Sequence, residues 1–210
     1  MSTTYLTEPI KPGLSTDELF KLLSEGFAAE RDPADRWTLT VRVARDKLRA
    51  VVQFLRDDPR LAFDQLLDVA GIDYLSFPGW RGPRFAVSYP MKSTRFRHRV
   101  IVKVLIDEDD ANVPSLHDLY RSANYAEREA WDQYGVDFTG HPNLKRLLNH
   151  HEFIGHPLRK DYPCQKRQKL SLNDPMLDQL EDRLRSLGYE ILEEPSQNPG
   201  APITVKGGVA

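Results

Sequence analysis

The sequence predicts an α+β fold: a mixed or antiparallel sheet with helices mainly on one face, followed by a C-terminal helix and an extended tail. Three patterns carry this. Helical runs are opened by capping residues, alternating strands span Arg84–Met91 and Thr94–Ile106, and the composition changes after Pro163.

Residues 1–14, with Pro9 and Pro12-Gly13, read as a flexible lead-in. Ser15-Thr16-Asp17-Glu18 is a capping box, because the serine hydroxyl and the glutamate carboxylate can each satisfy a free N–H of the first turn. It opens a helix through Leu19, Phe20, Leu22 and Leu23 that Gly26 closes. Trp37, Leu39 and Val41 alternate as a strand does, whereas Leu48, Val51, Val52 and Leu55 recur at helical spacing within Asp46–Leu55. Leu66–Tyr74 reads as a strand, and the hairpin that follows turns at Lys92-Ser93. In its second strand Phe96, His98, Val100, Val102, Val104 and Ile106 share a core face. Arg95, Arg97, Arg99 and Lys103 share the other with Ile101 and Leu105, as in an edge strand guarded by charge or a docking surface for an acidic partner.

Asn124 and Glu127 form a second capping box, and Gly135 stops the helix they open. On it Glu127, Trp131 and Tyr134 share one face, while Arg128, Glu129 and Asp132 point away. Two Gly-His-Pro turns follow, at Gly140 and Gly155. Pro157 and Pro163 hold their preceding residues extended, so Leu158–Asp161 reads as a strap, docked on a neighbour or on its own domain. Asp174 and Pro175 open a last helix with a Met176, Leu177, Leu180, Leu184, Leu187 stripe, stopped by Gly188. Residues 193–210 cannot build a core. The organisation is thus 1–14 lead-in, 15–163 α+β domain, and 164–210 helix plus a partner-wrapping tail.

With 29 Lys+Arg against 31 Asp+Glu, the net charge of −2 provides no basic field for nucleic acid. The single cysteine, Cys164, excludes an internal disulfide, and this chain alone offers too few thiolates for an iron–sulfur cluster. No apolar run approaches the ~20 residues of a membrane span, and the start lacks the apolar core of a signal peptide, so a membrane is expected to be reached only through partners.

Glu127, Glu129 and Asp132 invite an acid–base reading, but the capping role of Glu127 and the neighbouring Arg128 favour a charge network. His141, His150, His151 and His156 invite zinc, although their spacing fits no metal motif. An RNA platform on the Arg95 face lacks interleaved aromatics. No Gly-rich phosphate loop or nucleophile elbow is present.

Glu127-Arg128-Glu129, Asp132, Tyr134, His141, Lys145 and Leu147-Leu148, followed in order by GHPLRKDYP at Gly155–Pro163, resemble the signature of the C subunit, the thirty-kilodalton type, of the respiratory NADH-quinone oxidoreductase, complex I. Val69–Tyr74, Arg84–Tyr89, Ile106–Asp110 and Val113-Pro114-Ser115 extend the likeness; Gln133 stands where the family usually has an apolar residue. The resemblance implies a peripheral-arm subunit on the cytoplasmic face of the membrane, beside the large quinone-site subunit and the small cluster-bearing subunit. It implies no cofactor and no catalytic or metal-binding residue here, since iron–sulfur clusters, FMN and quinone belong to partners while the whole complex passes electrons from NADH to quinone and translocates protons. The expected partner-binding residues are Glu127, Arg128, Glu129, Asp132 and His141 in a charged elbow, with His156, Arg159, Lys160, Asp161 and Tyr162 in the strap. Arg159 is expected to be a docking charge. Alternatives are the equivalent subunit of a ferredoxin- or hydrogenase-linked complex, and a free-standing histidine-based metal hydrolase.

Overall fold

A computed structural model describes residues 13–33, 37–163 and 175–189. The expectations for residues 1–12, the 164–174 stretch with Asp174, and the tail from 190 lie outside the described residues.

The chain runs α1 (Thr16–Phe27), β1 (Glu30–Arg31), β2 (Thr40–Arg42), α2 (Leu48–Asp57), β3 (Gln65–Leu66), β4 (Ala70–Asp73), β5 (Phe85–Lys92), β6 (Arg99–Ile106), β7 (Asn112–Pro114), α3 (Ala123–Tyr134), β8 (Asp137–Thr139) and α4 (Pro175–Ser186). The main sheet is mixed, in the order β1-β2-β6-β5-β3, with β4 also on β5; only β2–β6 is parallel. A second, parallel pair joins β7 to β8.

Period-two alternation dictates which face is buried. Val100, Val102, Val104 and Ile106 of β6 and Phe85, Val87, Tyr89 and Met91 of β5 share one face, buried with Leu19 and Leu23 of α1 and Leu48, Val51, Val52 and Leu55 of α2. Tyr134 of α3 lies against Gly71, which pairs with Val87 on that same face, so the helices α1 to α3 cover one side. The other side carries the half-buried Ile72, Ser88, Ile101 and Leu105.

The Ser15 capping box forms as the sequence writes it: Glu18 N–H donates to Ser15 Oγ (3.3 Å) and Ser15 N–H to Glu18 Oε2 (2.8 Å). The stop is Ala28, at φ 56°, and not Gly26, which lies inside α1. The expected strand Leu66–Tyr74 breaks into β3 and β4. Pro90 explains this: its carbonyl accepts from Leu67 N–H (2.9 Å), but its ring leaves no N–H to return, so the ladder fails opposite it.

The cationic edge strand is overturned. β6 is central, between β2 and β5, and begins only at Arg99; Arg95 and Arg97 lie in the connecting turn. Lys103 is buried, with Nζ 3.1 Å from Asp32 Oδ2 and 3.4 Å from the Tyr74 hydroxyl, because a charge inside a central strand needs a partner. Trp37, expected to open a strand, is 97% exposed ahead of β2.

Two glycines of α1 and β4 give opposite expectations in denaturant unfolding. A Cβ at Gly71 would sit 2.5 Å from the Tyr134 ring, so Gly71→Val should lower the unfolding free energy by about 1–3 kcal/mol. A Cβ at the helical Gly26 meets nothing, so Gly26→Ala should raise it by about 0.5–1 kcal/mol.

Candidate partner interface

The expected elbow and strap come together around the last turn of α3, but several of their side chains point inward. Glu127 is fully buried and caps nothing: α3 starts at Ala123 without a side-chain cap. Its carboxylate instead accepts from Leu116 N–H (2.7 Å) and the Ser115 hydroxyl (2.5 Å), fixing the turn after β7. Burial pushes its pKa up from 4.5 to about 6 against the pull of those two donors.

Asp132, expected to face outward, has no exposed surface. Its carboxylate accepts from Arg146 Nη1 (2.7 Å), from the backbone N–H groups of Leu147, Leu148 and Asn149 (2.9–3.0 Å), and from Asn149 Nδ2 (3.0 Å). Burial alone would raise its pKa, but Arg146 and Asn149 hold it far below the usual carboxylate range. Arg128 is buried too, donating to the carbonyls of Lys145 (3.1 Å) and Arg146 (3.0 Å). Of the expected outward trio only Glu129 is exposed.

An α-helix ends with carbonyls that lack partners within it, and here each of the last four finds one. Gly135 N–H donates to Trp131 O (2.8 Å), Arg146 Nη1 and His156 Nδ1 to Asp132 O (3.1 and 3.0 Å), Leu158 N–H to Gln133 O (3.1 Å), and Arg159 Nε to Tyr134 O (2.6 Å). Gly135 is required twice over, by its φ of 74° and because a Cβ would lie 2.6 Å from both Arg159 and His156. The strap is therefore packed on its own domain, and Arg159, expected as a free docking charge, is a helix cap. Gln133 is buried at this junction.

The histidine tautomers follow from their partners. His141 Nδ1 accepts from Asn143 N–H (3.1 Å), so Nε2 carries the proton and donates to Asn124 O (3.0 Å); in His156 it is Nδ1 that carries it. Burial lowers both pKa values. His150 and His151 lie beside each other, with ring centroids 4.2 Å apart, away from these roles, and among the described residues no three His, Cys, Asp or Glu side chains are grouped as a metal would need.

A second clamp was not foreseen. Arg84 at the start of β5 reaches Asp73 Oδ2 (3.1 Å), Glu108 Oε1 (2.5 Å) and Asp161 Oδ1 (2.7 Å), while Lys160 N–H donates to Asp73 Oδ2 (2.8 Å). These charge-assisted bonds hold Arg84 firmly cationic and tie the strap to the sheet. The readable signal was an aspartate ending one apolar run and an arginine opening the next. Tyr162 stacks on Phe153, with centroids 5.9 Å apart.

This framework also leaves large apolar side chains outside, beside the exposed Glu129, Lys160 and Asp161. Leu148 (64%), Ile154 (74%) and Leu158 (51%) are exposed on segments whose backbone is anchored to Asp132, Arg146 and Gln133. Large apolar side chains held out by a rigid frame suit a protein contact better than chemistry.

Two tests follow. The folded state binds the Glu127 proton more tightly than the unfolded chain, so its contribution is fully present below pH 4.5 and declines by about 2 kcal/mol as pH rises to about 6. The burial-lowered histidines act in the opposite direction, so the difference between wild type and Glu127→Gln in unfolding free energy across pH 4.5–6 should isolate that slope. Asp132→Asn should cost about 3–5 kcal/mol by leaving Arg146 without its anion, and hydrogen exchange should show lost protection at the amides of Leu147, Leu148 and Asn149. Glu129→Gln should change neither.

The family described as "Respiratory-chain NADH dehydrogenase, 30 Kd subunit" matches residues 41–168. The NADH-quinone oxidoreductase C subunit of Acidithiobacillus ferrooxidans is 47% identical over 131 residues, covering 61% of this chain and 65% of that one, so the chain spans just under two thirds of this relative's length. The corresponding C subunit of Roseiflexus castenholzii is 46% identical over 128 residues, covering 61% and 71%. Among solved structures, the trypsin-resistant fragment of Nqo5 is 32% identical with a TM-score of 0.53, covering 61% of this chain and 97% of that one. The archaeal membrane-bound sulfane sulfur reductase, at 22% identity and TM-score 0.55 over 87% and 96%, shares the fold. With the elbow and the strap both inside the matched range, the chain belongs to the family of 30 Kd subunits of the respiratory-chain NADH dehydrogenase.

Proposed function

We propose that this chain is a non-catalytic assembly subunit in the peripheral arm of a proton-translocating NADH-quinone oxidoreductase, seated on the cytoplasmic face of the membrane. The electrons pass from NADH to quinone through cofactors of partner subunits, and this chain docks beside the large quinone-site subunit and the small cluster-bearing subunit. The observation that carries the reading is the frame around the last turn of α3. It pairs Asp132 with Arg146 and Arg84 with Asp73 and Asp161, and it presents Leu148, Ile154 and Leu158 on anchored backbone beside the exposed Glu129 and Lys160. Fixed apolar groups bind with little further loss of conformational entropy, which is what a permanent contact between subunits uses. No helix among the described residues is long and apolar enough to cross a membrane, in keeping with attachment through partners.

The expected partner-binding residues divide accordingly. Glu127, Arg128, Asp132, His141, His156 and Arg159 shape the surface from within, while Glu129, Lys160, Asp161 and Tyr162 stand at or near it. A ferredoxin- or hydrogenase-linked complex would use the same module, and only the neighbouring subunits distinguish it. The hydrolase reading is disfavoured because His141 and His156 are each committed to a different helix carbonyl.

Mild-detergent purification through a tag on this chain should bring down NADH-quinone oxidoreductase subunits. Ile154→Asp with Leu158→Asp should reduce that recovery by roughly tenfold or more while the isolated chain keeps its unfolding midpoint, because neither side chain is core. Recovery of the tagged chain alone, as a monomer, would refute the proposal.

A further inference from the structure

We propose that the rigid turn joining β5 to β6 is a docking point for an acidic segment of another polypeptide, with Arg95, Arg97 and Arg99 meeting its carboxylates. This rests on the assembly reading above and adds the place and chemistry of one contact, on the opposite end of β5 from the Arg84 clamp.

Lys92–Arg99 holds four Lys and Arg residues and a histidine in eight positions, on a chain whose net charge is −2. Arg95, Arg97 and Arg99 are exposed, and none has a carboxylate partner among the described residues. Elsewhere Arg45, Arg49, Arg56, Arg60, Arg84 and Arg146 each sit in an ion pair. Arg81 and Arg121 are also exposed without an ion pair among the described residues, but each stands singly, whereas at this turn three such arginines fall within five positions.

The turn is also built to hold its shape. Ser93 N–H donates to His98 O (3.0 Å), Phe96 N–H to Ser93 Oγ (3.3 Å), and Thr94 gives both its N–H (2.9 Å) and its hydroxyl to the Asp64 carboxylate. Arg97 is locked at φ 57°, a left-handed conformation that side chains other than glycine rarely adopt and that persists only where the surroundings impose it. A solubilising charge run needs no such constraint; a backbone already held in one shape has less freedom to lose when its arginines meet carboxylates.

The occupant follows from what the turn lacks. A single-stranded nucleic acid needs open aromatic faces, but Phe96 is half-buried and lies beneath the Arg95 guanidinium at 5.2 Å. An anionic membrane surface is gripped by charges beside an inserting apolar anchor, and the neighbours here are the buried Ser93 and the Asp64-bound Thr94. Carboxylates on a folded partner need neither.

The test uses the complex purified through a tagged chain carrying Arg97→Lys, with Arg95→Lys as a second reporter. A water-soluble carbodiimide joins an amine only to a carboxylate in direct contact. Mass spectrometry should find residue 97 or 95 linked to an Asp or Glu of a co-purifying subunit, and Arg99→Glu on the reporter chain should cut that link by roughly tenfold. If the subunits co-purify but residues 95 and 97 link only within this chain or not at all, the inference fails and the assembly reading stands. If nothing co-purifies, both fail. Binding to phosphatidylglycerol vesicles or to oligouridylate that Arg95→Glu/Arg97→Glu/Arg99→Glu abolishes, without an inter-chain link, assigns the turn to lipid or RNA and also overturns it.

Discussion

A carboxylate buried at the wrong end of a helix is the constraint around which this molecule is arranged. Asp132 lies in the last turn of α3, where the helix dipole already concentrates negative charge, and it has no exposed surface. Such a charge is tolerated only when donors surround it. Arg146, three consecutive backbone amides and the Asn149 side chain supply them, so a segment without regular structure becomes as fixed as the helix. The same local field draws His156 and Arg159 onto the helix-end carbonyls, and the strap is tied down as a consequence.

The Arg84 cluster extends this order from the helix to the sheet. One guanidinium joins the end of β4, the turn after β6 and the strap, and Asp73 accepts a further bond from Lys160 N–H. The two clamps share the strap, so residues 156–161 are bonded both to the end of α3 and to the sheet. Leu148, Ile154 and Leu158 are then presented on backbone anchored by hydrogen bonds to Asp132, Arg146 and Gln133. Function of this kind needs no perturbed nucleophile. Glu127 has the raised pKa often found at catalytic sites, yet both its oxygens are engaged in holding a turn.

Local signals were legible wherever the responsible interaction spans a few residues. The Ser15 box, the Gly135 stop, the buried stripe of α2, the extent of α4 and the core face of β6 all read correctly from spacing and cap chemistry. The errors have one origin. Asn124 and Glu127 spell a capping box, but Glu127 is drawn instead to Ser115 and Leu116, twelve and eleven residues back. Lys103 alternates with apolar residues as a surface charge would, and only the parallel pairing of β2 with β6 turns it into a buried one. Pro90 was visible, but its power to split a strand depends on which strand lies beside it.

The fold class, the α1 start, the Gly135 stop, the buried stripe of β6 and the two motifs that mark the family are readable without the fold, because they depend on periodicity and on short-range hydrogen bonding. Which charges face inward, that Arg159 closes a helix, and that Arg84 and Asp73 anchor the strap all depend on contacts between distant segments. A side chain's charge is fixed by its chemistry, but its partner can lie 77 residues away, as Asp161 does from Arg84, and no spacing rule reaches that far.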